Sequence, residues 1–172
     1  DTMNLTGPYL GQKPPGSIPE IFAPGIVSSK YWEHSGAVFT PDGKELFWTR
    51  AINEGRDPRI VLVMHMKQVN GIWTKAELAP FNYSNYTHIN SVSPDGKRLY
   101  FYNEKGAHFL TKTEVGWSEP QLLLLNKSDE PGRHINEVHE ARSGNFYMLG
   151  PLDLMPNGRG IVFSELVEEQ YS

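Results

Sequence analysis

The sequence predicts an all-β fold made of repeated antiparallel units of four short strands, and three observations support this prediction. The tripeptide Pro-Asp-Gly occurs twice, at residues 41–43 and 94–96, and each copy lies between two short runs that alternate small, polar and apolar residues. A tryptophan closely preceded by glycine stands further along each unit, at Trp73 and Trp117. No segment has the 3.6-residue period of an amphipathic helix, so we expect little helix.

Composition and charge indicate one globular domain and exclude several kinds of partner. The 172 residues are 38% hydrophobic and 12% aromatic, which is enough to build a core. The net charge is −4 and basic residues form no run, so we expect no nucleic-acid partner, because phosphate binding needs clustered positive charge. No run approaches the ~18 apolar residues of a membrane span, and the lack of cysteine excludes disulfides and thiolate chemistry.

Each Pro-Asp-Gly is predicted to form the turn of a β-hairpin. Proline presets the backbone of the first central position, aspartate suits the second, and glycine takes the left-handed position that follows. In the first unit the hairpin joins strands at 37–40 and 45–49. A third strand at 60–66 and an outer strand after Trp73 complete that unit.

The second unit repeats this order. Its hairpin joins strands at 90–93 and 98–102, a third strand follows at 108–111, and an outer strand comes after Trp117. The spacing of the two units therefore predicts two copies of one four-stranded sheet.

A third unit is present in degenerate form. Its first strand begins around residues 134–137, and Ser143-Gly144-Asn145 takes the place of the Pro-Asp-Gly turn. Strands at 146–149 and 160–164 follow, and the outer strand of this unit is missing.

The N-terminal region offers a strand of the missing kind, at about 18–23. Pro19-Glu20-Ile21-Phe22 matches Pro120-Gln121-Leu122-Leu123, which begins the outer strand of the second unit. One outer strand, two complete units and one unit without its outer strand are the permutation by which a β-propeller joins its first and last blades. We therefore predict a single β-propeller domain with these parts: a lead-in at 1–30 that carries the closing strand, blades at 31–82 and 83–127, and an incomplete blade at 128–172.

The turn motifs carry a resemblance to a known family. Thr40-Pro41-Asp42-Gly43-Lys44 and Ser93-Pro94-Asp95-Gly96-Lys97, each followed by an aromatic strand, resemble the WD40-like repeats of TolB-type β-propellers. The lead-in from Pro8 to Gly25 is similar to the start of exported bacterial propellers of this type. The resemblance implies a periplasmic or secreted protein whose signal peptide has been removed, and it implies little about function, because such blades serve many tasks.

The number of blades departs from this family. Propellers close with about four to eight blades, and the relatives that the resemblance suggests mostly have six or seven. Two explanations stay open. The chain is a fragment of a longer protein, or two copies form a six-bladed ring in which each lends residues 18–23 to the last blade of the other.

Candidate binding residues lie where the innermost strands begin, because propellers bind ligands at the mouth of the central channel. A histidine stands at or beside this position in all three units, and three converging imidazoles can bind a divalent metal, or an anion when they are protonated. Alternatively, each histidine only caps its strand and bonds to the neighbouring blade, and we expect neither metal nor cofactor. The predicted ligand-binding residues are His34, His88, Asn90, His134, Asn136, Glu137 and His139.

No catalytic residues are predicted. The sequence has no G-x-S-x-G, Walker or G-x-G-x-x-G motif, and Glu137-Val138-His139-Glu140 is not the zinc motif H-E-x-x-H. We therefore expect an exported module that binds a protein or a small polar or carbohydrate ligand at the channel mouth. The alternative is the propeller part of a secreted hydrolase, either a prolyl-oligopeptidase-like peptidase or a carbohydrate-active enzyme that uses the channel-mouth histidines and the carboxylates of Glu137 and Glu140.

Overall fold

The structure is a computed structural model, which describes residues 5–52, 60–125, 137–150 and 160–164. It is all-β, with curled antiparallel sheets, and the helix within the described ranges is one short 3-10 turn at Pro8–Gly11. The prediction of an all-β chain with little helix is thus confirmed for these residues. The strands are β1 (Trp32–Phe39), β2 (Glu45–Ile52), β3 (Ile60–Val69), β4 (Ile72–Trp73), β5 (Glu77–Leu78), β6 (Thr87–Val92), β7 (Arg98–Asn103), β8 (Gly106–Thr113), β9 (Gly116–Trp117), β10 (Gln121–Leu125), β11 (Glu137–Glu140), β12 (Phe146–Gly150) and β13 (Gly160–Ser164).

Three sheets follow one another along the chain. The first has the order β1-β2-β3-β4, with β5 also paired to β3. The second has the order β6-β7-β8-β10, with β9 also paired to β8, and the third has the order β11-β12-β13. The strands predicted on either side of both Pro-Asp-Gly turns, and the outer strands after Trp73 and Trp117, are therefore present. The chain forms two compact units that divide between His88 and Ile89, inside β6.

The Pro-Asp-Gly turns are held by their own side chains. In the first turn the Thr40 hydroxyl donates to the Asp42 carboxylate at 2.6 Å and accepts the Glu45 amide at 3.0 Å. The same Asp42 oxygen accepts the Lys44 amide at 3.0 Å, and Gly43 has a φ of 69°. A hydroxyl, a carboxylate and a glycine therefore close the turn together, which explains the Ser/Thr-Pro-Asp-Gly-Lys motif.

The second turn has the same network. The Ser93 hydroxyl donates to Asp95 at 2.6 Å and accepts the Arg98 amide at 2.8 Å. Asp95 also accepts the Lys97 amide at 2.9 Å, and Gly96 has a φ of 74°. Threonine and serine are interchangeable here, since only the hydroxyl takes part.

The third turn lies one residue earlier in the chain than the repeat pattern predicts. Gly144 has the left-handed φ, 85°, and its amide donates to the Ala141 carbonyl at 2.9 Å. Arg142-Ser143-Gly144 therefore occupies the place of Pro-Asp-Gly, rather than Ser143-Gly144-Asn145. Ala141 has no hydroxyl, so of the side-chain bonds of the other two turns this one keeps a single counterpart, from the Asn145 amide to the Ser143 hydroxyl at 3.5 Å.

Residues 18–23 are not in a strand in this structure, and their predicted pairing with a blade outside this chain stays a prediction. The carboxamide of Gln12 donates to the Ile21 carbonyl at 3.0 Å and accepts the Ala23 amide at 2.5 Å, so it occupies backbone groups that a strand would offer to a neighbour. Ala23 is buried beside β2 in a core with Leu46 and Trp48. The segment thus folds onto the first sheet, while Ile18 and Ile21 stay exposed.

In the second unit, one face of the second sheet packs on the third. Tyr100 and Ala107 of the second sheet form a core with Val138 and Phe146 of the third. The Ser91 hydroxyl donates to the Val138 carbonyl at 2.7 Å and joins β6 to β11. Within the described part of the chain, no helix has the length and apolar character that crossing a membrane requires.

Candidate functional site

A cavity of about 630 Å³ opens where β11 and β12 pack on β7 and β8 of the second unit. Its volume falls in the range of ~300–1,000 Å³ that small-molecule sites occupy. We call it the Glu140 pocket. Its lining combines an apolar floor, a polar wall and a charged or hydroxylated rim. The lining residues are Asp95, Lys97, Arg98, Tyr100, Phe109, Thr111, Gln121, Leu123, Glu140 and Phe146.

Strand alternation and register place these side chains. Arg98 and Tyr100 are two residues apart on β7 and project to the same face, since side chains alternate along a strand. Thr111 of β8 pairs with Arg98, and Phe109 pairs with Tyr100. Gln121 of β10 pairs in turn with Phe109. Two neighbouring rows of the sheet thus supply most of one side of the pocket.

The polar wall is a hydrogen-bonded group that bridges two sheets. The Tyr100 hydroxyl donates to Oε2 of Glu140 at 2.5 Å. Arg98 approaches Oε1 of the same carboxylate at 3.4 Å, where the Glu140 side chain is 13% exposed. A carboxylate has about four acceptor positions, so both oxygens keep capacity for a ligand hydrogen.

Burial and charge fix the protonation of this wall. Burial raises the pKa of the Tyr100 phenol well above its usual range, and Glu140 raises it further, so the phenol stays protonated and acts as a donor. Burial by itself lowers the pKa of Arg98, but Tyr100 and Glu140 outweigh that effect and raise it. The guanidinium therefore stays charged.

The rim adds one further charge of each sign. Hydrogen bonds from the Ser93 hydroxyl and the Lys97 amide lower the pKa of Asp95, so its carboxylate is ionised. The Lys97 ammonium lies 3.9 Å from that carboxylate, and both groups are largely exposed. The lining thus contains two basic and two acidic side chains, which balance formally.

Among the described residues that were predicted at the channel mouth, none lines the Glu140 pocket. His88 is fully buried, with its ring 4.5 Å from the Tyr86 ring, so it does not lie at a surface that a ligand reaches. His34 lies on β1, but its side chain is not among those described. His134 and Asn136 lie outside the described residues.

The other three predicted residues lie on neighbouring strands of the second unit. Asn90 is half-buried on β6, and Glu137 and His139 are exposed on β11, which the Ser91–Val138 hydrogen bond joins to β6. The His139 imidazole lies 3.8 Å from the Glu137 carboxylate. No group of three or more metal-ligating side chains occurs among the described residues. A ligand-binding role for these residues stays a prediction.

Sequence reasoning missed the Glu140 pocket. The signal was present in part, because the i, i+2 spacing of Arg98 and Tyr100 on a predicted strand puts them on one face. The partner, Glu140, is 40 residues from Tyr100, and only the packing of β11 on β7 brings the two together.

A scan of the sequence against protein-family models gives no match, and a search of the curated proteins finds no similar sequence.

Proposed function

We propose that this chain is part of an exported β-propeller of the TolB type and acts as a binding module that holds a small polar ligand in the Glu140 pocket. The sheet orders support the propeller, since the first two sheets share one strand order and one turn motif. The resemblance of the turns to exported propellers supports a periplasmic or secreted location.

The observation that carries the binding function is the bridged wall of the pocket. Tyr100, Arg98 and Glu140 are already bonded to one another beside an open cavity, so a ligand meets polar groups that are in place. Groups held in this way lose little rotamer entropy when a ligand binds. Such pre-organised polar groups on an apolar floor are typical of small-molecule sites.

The alternative of a carbohydrate-active enzyme has less support. Asp95 and Glu140 both line the pocket, as paired carboxylates would in glycoside hydrolysis. The lowered pKa of Asp95 restricts it to the role of base or nucleophile, and one oxygen of this carboxylate already accepts two hydrogen bonds within the turn. Tyr100 is equally unsuited to act as a nucleophile, because its raised pKa keeps it protonated. Binding therefore fits the lining better than catalysis.

The propeller proposal keeps its two forms, a fragment and a dimeric six-bladed ring. The mass of the purified chain in solution separates them. A stable species of 19.5 kDa excludes the ring, whereas a dimer supports it.

The binding proposal is tested with a variant that fills the pocket. Thr111→Trp adds a large side chain at the rim, and the matched control is Lys67→Trp, because Lys67 occupies the same register position in the first sheet. Amide NMR spectra are recorded with methyl glycosides, acetate, tetramethylammonium and N-acetyl amino-acid amides as probes. At least one probe should shift the resonances of the Glu140 pocket in the natural protein and in the control but not in Thr111→Trp. If no probe shifts them, or if the filled variant responds equally, the proposal is wrong.

A further inference from the structure

The charges of the Glu140 pocket disfavour an ion as its ligand. Arg98 and Glu140 lie in the same wall, 3.4 Å apart, so an anion attracted by one is repelled by the other, and a cation likewise. A neutral hydroxyl group gains from both, because its hydrogen donates to the carboxylate and its oxygen accepts from the guanidinium. Hydrogen bonds to ionised groups are roughly twice as strong as those between neutral groups.

The floor of the pocket presents an aromatic surface. The Phe109 ring is half-buried, and its centroid lies 6.4 Å from that of Tyr100. Phe146 packs edge-on against Tyr100, with a centroid distance of 5.7 Å, and supports this arrangement from β12. The face of an aromatic ring is electron-rich, so it attracts C–H groups that carry a partial positive charge.

Polar side chains border the aromatic floor on more than one side. Thr111 is the register neighbour of Arg98, and Gln121 is the register neighbour of Phe109. The hydroxyl and the carboxamide each both donate and accept hydrogen bonds. A ligand that lies on Phe109 therefore meets groups around its edge that suit hydroxyls and do not require a charge.

We infer that the Glu140 pocket binds a neutral, hydroxyl-rich ring of the pyranose type, with a C–H face on Phe109 and edge hydroxyls bonded to Arg98 and Glu140. This inference rests on the binding function proposed above. It names carbohydrate as the ligand class, because a saturated sugar ring combines an apolar face with a rim of neutral donors and acceptors.

The test compares ligands of similar size and different chemistry. The probes are methyl β-D-glucopyranoside, methyl β-D-galactopyranoside and methyl α-D-mannopyranoside, with cyclohexanol, acetate and tetramethylammonium for comparison. We expect at least one glycoside to shift the Phe109 and Thr111 amide resonances with a dissociation constant on the order of 1 mM, typical of so small a ligand. Cyclohexanol, which has the ring but a single hydroxyl, should bind at least about tenfold more weakly.

Two variants then test the geometry. Phe109→Leu keeps apolar volume but removes the aromatic face, and Glu140→Gln keeps an acceptor for Tyr100 but removes the charge. Each should weaken glycoside binding by about tenfold. The control is Glu114→Gln, which is exposed in the same unit but outside the lining and should bind as the natural protein does. Undiminished glycoside binding by both pocket variants would show that the sugar binds elsewhere and would overturn the inference.

The outcomes separate this inference from the function on which it rests. If acetate or tetramethylammonium shifts the pocket resonances and no glycoside does, the ligand class is wrong while the binding function stands. If cyclohexanol binds as well as the glycosides, the ring hydroxyls contribute nothing and the inference is again wrong. If neither these probes nor the N-acetyl amino-acid amides shift these resonances, both proposals fall.

Discussion

The same register positions of the first two sheets hold two different polar clusters. Glu45 and Phe47 of β2 correspond to Arg98 and Tyr100 of β7, and His65 of β3 corresponds to Phe109 of β8. In the first sheet the cluster is complete within β2 and β3: His65 bonds to Glu45 at 3.2 Å and stacks on Phe47 at 4.6 Å.

In the second sheet the corresponding cluster needs another sheet. Arg98 and Tyr100 bond to Glu140 of β11, and the Glu140 pocket opens beside them. His65 and Phe47 are buried, whereas Arg98 and Glu140 keep exposed surface. The same strand positions thus carry a pair that is complete within the first sheet and, in the second sheet, a wall that needs Glu140 of the third. Three changes, given in order of expected effect, test this comparison.

The largest effect is expected from histidine titration in the closed cluster. Burial lowers the pKa of His65 to about 4 from its usual 6.5, so below pH 6.5 the unfolded chain binds a proton that the folded chain does not. Stability contributed by the neutral imidazole is complete above pH 6.5 and is lost as the pH falls towards 4. Between pH 7 and 4.5 the loss should be about 2 kcal/mol.

Urea unfolding of the natural protein and of His65→Gln at both pH values measures this loss. Glutamine keeps a donor for Glu45 but does not titrate, so this variant should lose about 2 kcal/mol less stability than the natural protein. The control is Val69→Thr, on the same strand as His65 and without a titrating group, which should show the same pH dependence as the natural protein. An equal pH dependence of His65→Gln and the natural protein would contradict the burial argument.

The open wall should show coupling between Tyr100 and Glu140. Tyr100→Phe removes the donor and Glu140→Ala removes the acceptor, and each alone should lower the free energy of unfolding by about 1–2 kcal/mol. In the double variant the cost should be less than the sum, with a coupling energy of about 1 kcal/mol. Costs that simply add would mean that the 2.5 Å contact contributes nothing to stability.

The smallest effects are expected where the two sheets agree, in the turns. Thr40→Ala and Ser93→Ala each remove a hydroxyl that donates to the turn aspartate and accepts a backbone amide, and each should cost about 1 kcal/mol. Because the two networks are the same, the costs should match within about 0.5 kcal/mol. A clear difference between them would show that the turns, like the clusters, have diverged.

Much of the fold follows from local chemistry. The hairpin strands were predictable because a turn such as Thr40-Pro41-Asp42-Gly43 is stabilised by its own atoms and so keeps its shape in any copy. The third turn was displaced by one residue in the alignment, since without a Pro-Asp-Gly motif only the left-handed φ of Gly144 identifies the turn.

Predictions that depend on contacts between residues far apart in the sequence are harder to make. Residues 18–23 match an outer strand in sequence, but a strand forms only beside a neighbour with free backbone groups. In this chain Gln12 bonds to the Ile21 carbonyl and the Ala23 amide, and the closing role of the segment stays a prediction. The histidine at the start of β6 stood out by repetition, but burial decides whether an imidazole meets solvent, and His88 is buried.

The sequence by itself determined the all-β class, the hairpins and the order of the strands, because alternation and turn chemistry act over a few residues. Only the tertiary structure decided the candidate site, because its acceptor, Glu140, comes from another sheet and its floor from side chains of three strands. Equivalent positions carry Glu45 with His65 in one sheet and Arg98 with Phe109 in the next. Whether these side chains bond to one another within their own sheet or line a pocket depends on the elements that pack against them. A local sequence pattern does not contain that information.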